Sequence, residues 1–214
     1  MPVIDSLQTL LVEQLKDVYD AEKRLTKALP KMMKKVSHDE LRSAIESHLT
    51  ETQEHVARLE QAFEALGETA KAKTCAGMKG LLEEGDEHAG EDYDDDGLRD
   101  AAIIGSAQRV EHYEIAAYGT ILAHARLLGL DDVVSILEPT LEEEKAADEK
   151  LTEIAEGVVN LDAADESDEE ENGSRAGGRK RSQPGPVAVA ADRSAKRGAS
   201  RKTAMPDRRT STGR

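Results

Sequence analysis

Glu22, Glu51, Glu111 and Glu144 each fall within the apolar stripe of a different stretch of helical periodicity. A carboxylate set among leucines stays buried only if it is paired, hydrogen-bonded or bound to a metal. One from each of four helices, all projecting inward, is the arrangement of a carboxylate metal box. Their neighbours extend the pattern. Glu111 and Glu114 stand three apart on the third long helix, about 60° around its axis, and point the same way. Tyr118 lies one turn further along that face. His48, Glu51 and His55 are spaced three and four apart on the second helix, and Glu144 and Asp148 four apart on the fourth. Glu22 stands alone on the first, with Tyr19 one turn before it. Carboxylates mixed with imidazole suit iron or manganese. Glutamates that reach two ions would hold them close enough to share an oxygen ligand, which activation of dioxygen or peroxide requires.

The strict Glu-x-x-His spacing of di-iron bundles is not present. Glu51 is followed by Glu54 and His55, and Glu144 by Ala147 and Asp148. His112 is turned about 100° from Glu111, so it faces a different neighbour and reads as a support for ligands or an interface residue. Tyr118 and Tyr19 read as hydrogen-bonding supports or core tyrosines. Since 34% of the chain is charged, Glu54, Glu60, Glu64, Glu142 and Glu143 read as solvated. Cys75 reads as a small buried hydrophobe, and Met32, Met33 and Met78 as core filler. Spacing alone leaves two classes open. One is a di-metal protein; the other is a non-catalytic bundle that binds a partner and keeps its inward acids in salt bridges.

The elements that must position these residues follow from periodicity. Ile4, Leu7, Leu11, Val18, Glu22, Leu25 and Leu29 mark an amphipathic helix that Pro30 should bend or shorten. Ser37-His38-Asp39-Glu40 has the form of a capping box. It opens a second helix with Leu41, Ile45, His48, Thr52, His55, Leu59 and Ala62 in phase, ended by Gly67. Residues 68–97 form a long connector, with a short helix expected at Cys75–Glu84 and an acidic stretch after it. A third helix runs from Leu98 to Leu128 and stops at Gly129. A fourth starts with Asp131 as its cap and stops at Gly157. Two hairpins joined by one long crossover, which sets the third helix parallel to the second, predict an all-α, ferritin-like four-helix bundle. Residues 1–160 are assigned to it.

Composition agrees. One Phe, four Tyr and no Trp leave a core of aliphatic residues, which suits helices. The single Cys75 excludes an intramolecular disulfide and fits a reducing cytoplasm. No run of eighteen apolar residues is present, so no membrane span is expected, and MPVIDSLQTL does not read as a secretory signal. Residues 161–171 form an acidic linker. Residues 172–214 form a basic, low-complexity tail expected to be disordered, with twelve Lys/Arg and two Asp. That tail carries +10, which leaves −25 on residues 1–171 of a chain whose net charge is −15. Such a tail is suited to non-specific nucleic acid contact, or to contact with its own acidic bundle.

The segments HLTETQEHVARLEQAFEALG (48–67), EHYEIAAYGT (111–120) and LEEEKAADEKLTEIAE (141–156) resemble the YciE/YciF-type ferritin-like family of bacterial stress proteins. The resemblance implies a homodimer with a rubrerythrin-like di-metal site. It implies Glu22, Glu51, Glu111, Glu114 and Glu144 as ligands, with two glutamates three apart on the third helix. His55 and Asp148 fall one residue from the positions where that family pattern has its histidines, and His48 lies on the other side of Glu51.

Overall fold

This computed structural model describes residues 3–164. Ser6 starts α1 (Leu7–Met32), its hydroxyl accepting the N–H of Thr9 at 3.1 Å. The stripe Leu11, Leu15, Val18, Glu22, Leu25, Leu29 is buried along its whole length. Pro30 stands inside the last turn, where little helix is left for its missing N–H to disturb, and α1 ends two residues later.

The start of α2 (Asp39–Ala65) differs from the expected capping box. His38 is the cap residue and offers no side-chain bond of its own. The buried Asp100, from another helix, reaches across instead. Its carboxylate accepts the N–H of His38 at 2.7 Å and that of Ser37 at 3.1 Å. A cap supplied from 62 residues away leaves no local signature. Asp100→Ala is therefore expected to cost about 1–3 kcal/mol in urea unfolding, because two part-buried N–H groups lose their charged acceptor. Ser37→Ala should cost less than about 0.5 kcal/mol.

Gly67 (φ +67°) and Gly129 (φ +68°) end α2 and α4 as expected. Each holds the left-handed conformation that lets the chain close back on the helix. Glu68 N–H reaches Phe63 O at 2.9 Å after α2, and Leu130 N–H reaches Ala125 O at 3.0 Å after α4. Within the crossover, α3 (Ala76–His88) runs four residues beyond the stretch expected to be helical. α4 (Asp96–Leu127) is capped by Asp95, which accepts Leu98 N–H at 2.7 Å. In α5 (Asp131–Ile154) the cap residue is Leu130, not Asp131. Asp131 and Asp132 sit in the first turn, facing the positive end of the helix dipole. Gly157 does not stop α5. The helix passes through one π-helical turn, Ala155–Val159, and its backbone continues to Ala164. Burial of Val159 and Ala163 rewards that continuation, so residues 161–164, expected in the linker, are helical. The rest of the linker and the basic tail lie outside the described residues.

α1 packs on α2 and α4, and α5 packs on the same two. Cross-bundle pairs give the directions: Tyr19 with Glu60, Gln14 with His124, Glu40 with Lys150, Arg126 with Glu138. Each neighbouring pair is antiparallel, so the diagonal pair α2 and α4 is parallel, as one long crossover requires. The molecule is an all-α, ferritin-like four-helix bundle. Among the described residues no helix is long and apolar enough to cross a membrane.

Candidate metal centre

Two hydrophobic clusters fill the ends of the bundle. One gathers Leu25, Leu29, Leu41, Ile45, Ile103, Ile104 and Leu151. The other gathers Leu11, Leu15, Leu59, Phe63, Ile121, Leu122 and Leu137. Between them lies a buried polar layer: Glu22 from α1, His48, Thr52 and His55 from α2, Glu111, Glu114 and Tyr118 from α4, and Glu144 from α5. The apolar clusters hold the helices in register, and the register brings these groups together.

Two sets of ligand atoms converge. Glu22, His55 and Glu144 offer one atom each within 4.8 Å of one another, and so do His48, Glu111, Glu114 and Glu144. Glu144 belongs to both sets. His55 Nδ1 lies 3.1 Å from Glu144 and 3.4 Å from Glu22, and His48 Nε2 lies 3.4 Å from Glu111. Tyr118 donates its hydroxyl to Glu22 Oε1 at 2.5 Å.

Most of these atoms have no hydrogen-bond partner. Both oxygens of Glu114 and of Glu144, one each of Glu22 and Glu111, both nitrogens of His48 and Nδ1 of His55 are buried and unsatisfied. Buried orphans are rare because each costs about 1–3 kcal/mol, and more when charged. Concentrated in one layer, they mark a place built for something that binds lone pairs.

Charge points the same way. Burial pushes the carboxyls of Glu111 and Glu114 well above the usual carboxylate range, and the neighbouring glutamates add to the rise. Glu22 is also raised by burial, with His55 opposing. Glu144 moves down: burial works against its charge, but His55 and His48 outweigh it. Burial likewise disfavours charge on both imidazoles, yet the carboxylates prevail. His48 is pushed up to about 9, mainly by Glu111, and His55 to about 10 by Glu144 and Glu22. Were all four carboxyls ionised, two imidazolium ions would offset only two of them. Two divalent cations beside neutral imidazoles would balance all four.

Of the residues singled out from the sequence, Glu22, His48, His55, Glu111, Glu114, Glu144 and Tyr118 meet in this layer. Glu51 does not. Its half-exposed side chain stands outside, one oxygen 3.8 Å from His48 Nδ1. His48 and His55, seven apart, lie only about 20° apart around α2, whereas Glu51 is about 60° from His48. Asp148 turns toward α4, where Gln108 donates to it at 3.3 Å and the exposed His112 lies 3.4 Å away. Tyr19 sits in the apolar end of the bundle, edge-on to Phe63, and donates to Glu60 at 2.6 Å.

Sequence reasoning missed Glu143 and Arg58. Glu143, taken as solvated, lies 2.9 Å from His55 Nε2. Arg58 grips the same carboxylate through both terminal nitrogens and bonds Thr140 at 3.1 Å. With Nε2–H donated to Glu143, a neutral His55 would turn its Nδ1 lone pair toward Glu22 and Glu144. A carboxylate that fixes a histidine tautomer is a usual support of a metal ligand. Only the α2–α5 register reveals it.

Helical order and buried layer together define a ferritin-like bundle with a carboxylate–histidine centre. Residues 6–164 match the family described as Domain of unknown function (DUF892), and the chain belongs to that family. It is 42% identical to protein YciF of Escherichia coli K12 over 159 residues, 74% of this chain and 95% of that one. Among solved structures it is similar to the E. coli stress protein YciF, with a TM-score of 0.70 and 41% identity over 73% of this chain and 99% of that one. YcfI from Rhodopseudomonas palustris gives 0.68 and 47% identity over 70% and 94%. A Xanthomonas campestris protein gives 0.58 and 26% over 76% and 99%.

Proposed function

We propose that the protein is a stress-response protein that binds two iron or manganese ions in its buried layer. Glu22, His55 and Glu144 would hold one ion; His48, Glu111 and Glu114 would hold the other, with Glu144 reaching both. The observation that carries this is the sharing of Glu144 between two convergent sets of buried ligand atoms, most of which have no hydrogen-bond partner. Bound there, the ions would supply two-electron chemistry toward peroxide or dioxygen, which suits kinship with a protein described as a stress protein. The chain's own residues do the rest. The apolar clusters exclude water from either end, Tyr118 holds Glu22, and Glu143 with Arg58 fixes His55. Protein purified without chelator and loaded with ferrous or manganous ion should carry about two equivalents per chain. Fewer than about 0.2 would overturn the reading.

A second reading has one observation in its favour: the histidine–carboxylate contacts of 3.1–3.4 Å also suit internal ion pairs in a non-catalytic bundle. It leaves both oxygens of Glu114 buried without any partner. Glu143→Gln separates the two. With metal present it should weaken affinity about 10–100-fold in chelator competition while keeping stoichiometry.

The acidic bundle and basic tail suggest a division of labour. Residues 172–214 would contact nucleic acid through phosphates alone, since no aromatic residue lies among their cations. Deleting them should abolish salt-sensitive retention on immobilised DNA and spare metal content; equal retention by the shortened chain would refute the idea. A cytoplasmic homodimer completes the proposal, the dimer being open to light scattering.

A further inference from the structure

The two ligand sets differ in access. Glu22 and His55 are sealed by Tyr118 on one side and by the Glu143–Arg58 clamp on the other. His48 and Glu111 instead form part of the floor of a cavity of about 450 Å³ between α2 and α5. Small residues open it: Ala44 and Ser47 on α2 face Ala146 and Ala147 on α5. Its deeper wall is apolar, made by Leu29, Met32, Ile45, Ala107 and Leu151. Lys150 and Glu40, 2.8 Å apart, link α5 to α2 at the rim. Glu51 also lines this chamber, which is where its half-exposed carboxylate is found.

Size and lining restrict the occupant. A single water claims about 30 Å³, and water or hydrogen peroxide needs no chamber of this volume. The volume falls instead within the roughly 300–1,000 Å³ of small-molecule pockets, which are mostly apolar with a few convergent polar groups. The polar groups here are unsatisfied and deep: both nitrogens of His48 and Oε2 of Glu111, on residues 7% and 3% exposed. We propose that the cavity binds an organic molecule with an alkyl or aryl body and one oxygen-bearing head, seating the body against Leu29, Ile45 and Leu151 and the head at His48 and Glu111. Contact of the head with an ion rests on the metal reading; occupation of the cavity does not.

Octanohydroxamate and acetohydroxamate share one head and differ in body, so they separate these two parts. Each is titrated into full-length protein, metal-free by calorimetry and ferric-loaded by the visible band of an iron-bound hydroxamate. The long probe should bind at least about 30-fold more tightly than the short one in both forms, since each buried CH₂ contributes about 0.8 kcal/mol. Ala147→Phe, which fills the chamber, should erase the difference while leaving metal stoichiometry and circular dichroism unchanged. Ala147→Leu, a milder filling, should reduce it at least threefold if the phenylalanine variant does not fold. Chain-length dependence in the calorimeter with no visible band would support the cavity and refute contact of the head with an ion, and a chain that takes up no ferric ion would sink the metal reading alone. Equal affinity of the two probes, or a preference that survives both substitutions, would overturn the cavity proposal.

Discussion

Glu144→Ala is expected to remove both metal equivalents, leaving less than about 0.2 per chain, whereas Glu22→Ala should keep about one. The difference follows from position. Glu144 contributes to both ligand sets and has neither oxygen committed elsewhere, while Glu22 contributes to one set and spends an oxygen on Tyr118. The helix should survive the loss. Val133, Leu137, Leu141, Leu151 and Ile154 still bury the apolar face of α5, and one of four crowded carboxylates is gone. Thermal stability offers a second readout. An ion that binds only the folded chain adds about 4 kcal/mol at a thousand-fold excess over its dissociation constant. A domain of this size gains about 2–4 °C per kcal/mol. Chelation of the wild-type protein should therefore lower Tm by on the order of 10 °C or more, and the same chelator should leave the Tm of Glu144→Ala where it was. Two equivalents retained by the variant would mean that the shared carboxylate is not a ligand.

Much of this architecture was legible from residue phase alone. Gly67 and Gly129 end their helices because glycine takes the left-handed turn there without a Cβ penalty, and a thirty-residue connector between two hairpins dictates the parallel diagonal. The inward acids Glu22, Glu111 and Glu144 were found because each keeps step with leucines and isoleucines on its own helix, and Glu114 because it stands three residues from Glu111. What phase cannot supply is register between helices. A spacing of three or four leaves a side chain's direction open by about 60°. Within that arc Glu51 turned out to a cavity wall and Asp148 to α4, and α2 presents two imidazoles seven apart instead of a glutamate. Glu143 looked like one more surface acid until Arg58, on the antiparallel neighbour, was seen to hold it against His55. Asp100 belongs with it, a cap for α2 that resides on α4. Gly157 misled for a different reason. A glycine stops a helix only where stopping is cheaper than continuing, and beyond it Val159 and Ala163 have apolar surface to bury.

The chelator-stripped protein should lose stability as pH rises, and the loaded protein should gain it. The carboxyls of Glu111 and Glu114 titrate well above their ordinary value in the folded chain. A group raised in this way contributes fully below its unfolded value and loses that contribution as pH climbs through the folded one. His48 and His55 behave likewise. Their contribution is complete below the ordinary 6.5 and disappears as pH passes about 9 and about 10. Glu144 has the opposite sign, but its window lies below the ordinary 4.5 and leaves neutral and alkaline pH untouched. All the shifts that act between pH 6.5 and 9.5 therefore push in one direction. Scanning calorimetry of the stripped protein should show Tm falling across that interval by on the order of 5–10 °C. Ions reverse the dependence, because binding requires deprotonated carboxylates and neutral imidazoles and so strengthens as protons leave. Loaded and stripped curves should thus diverge steadily with pH. In Glu144→Ala the slope should shrink, since His55 loses the neighbour that raises it most. A flat curve for the stripped wild-type chain would mean that its buried acids and imidazoles do not face one another, and the convergence that defines the centre would be lost with it.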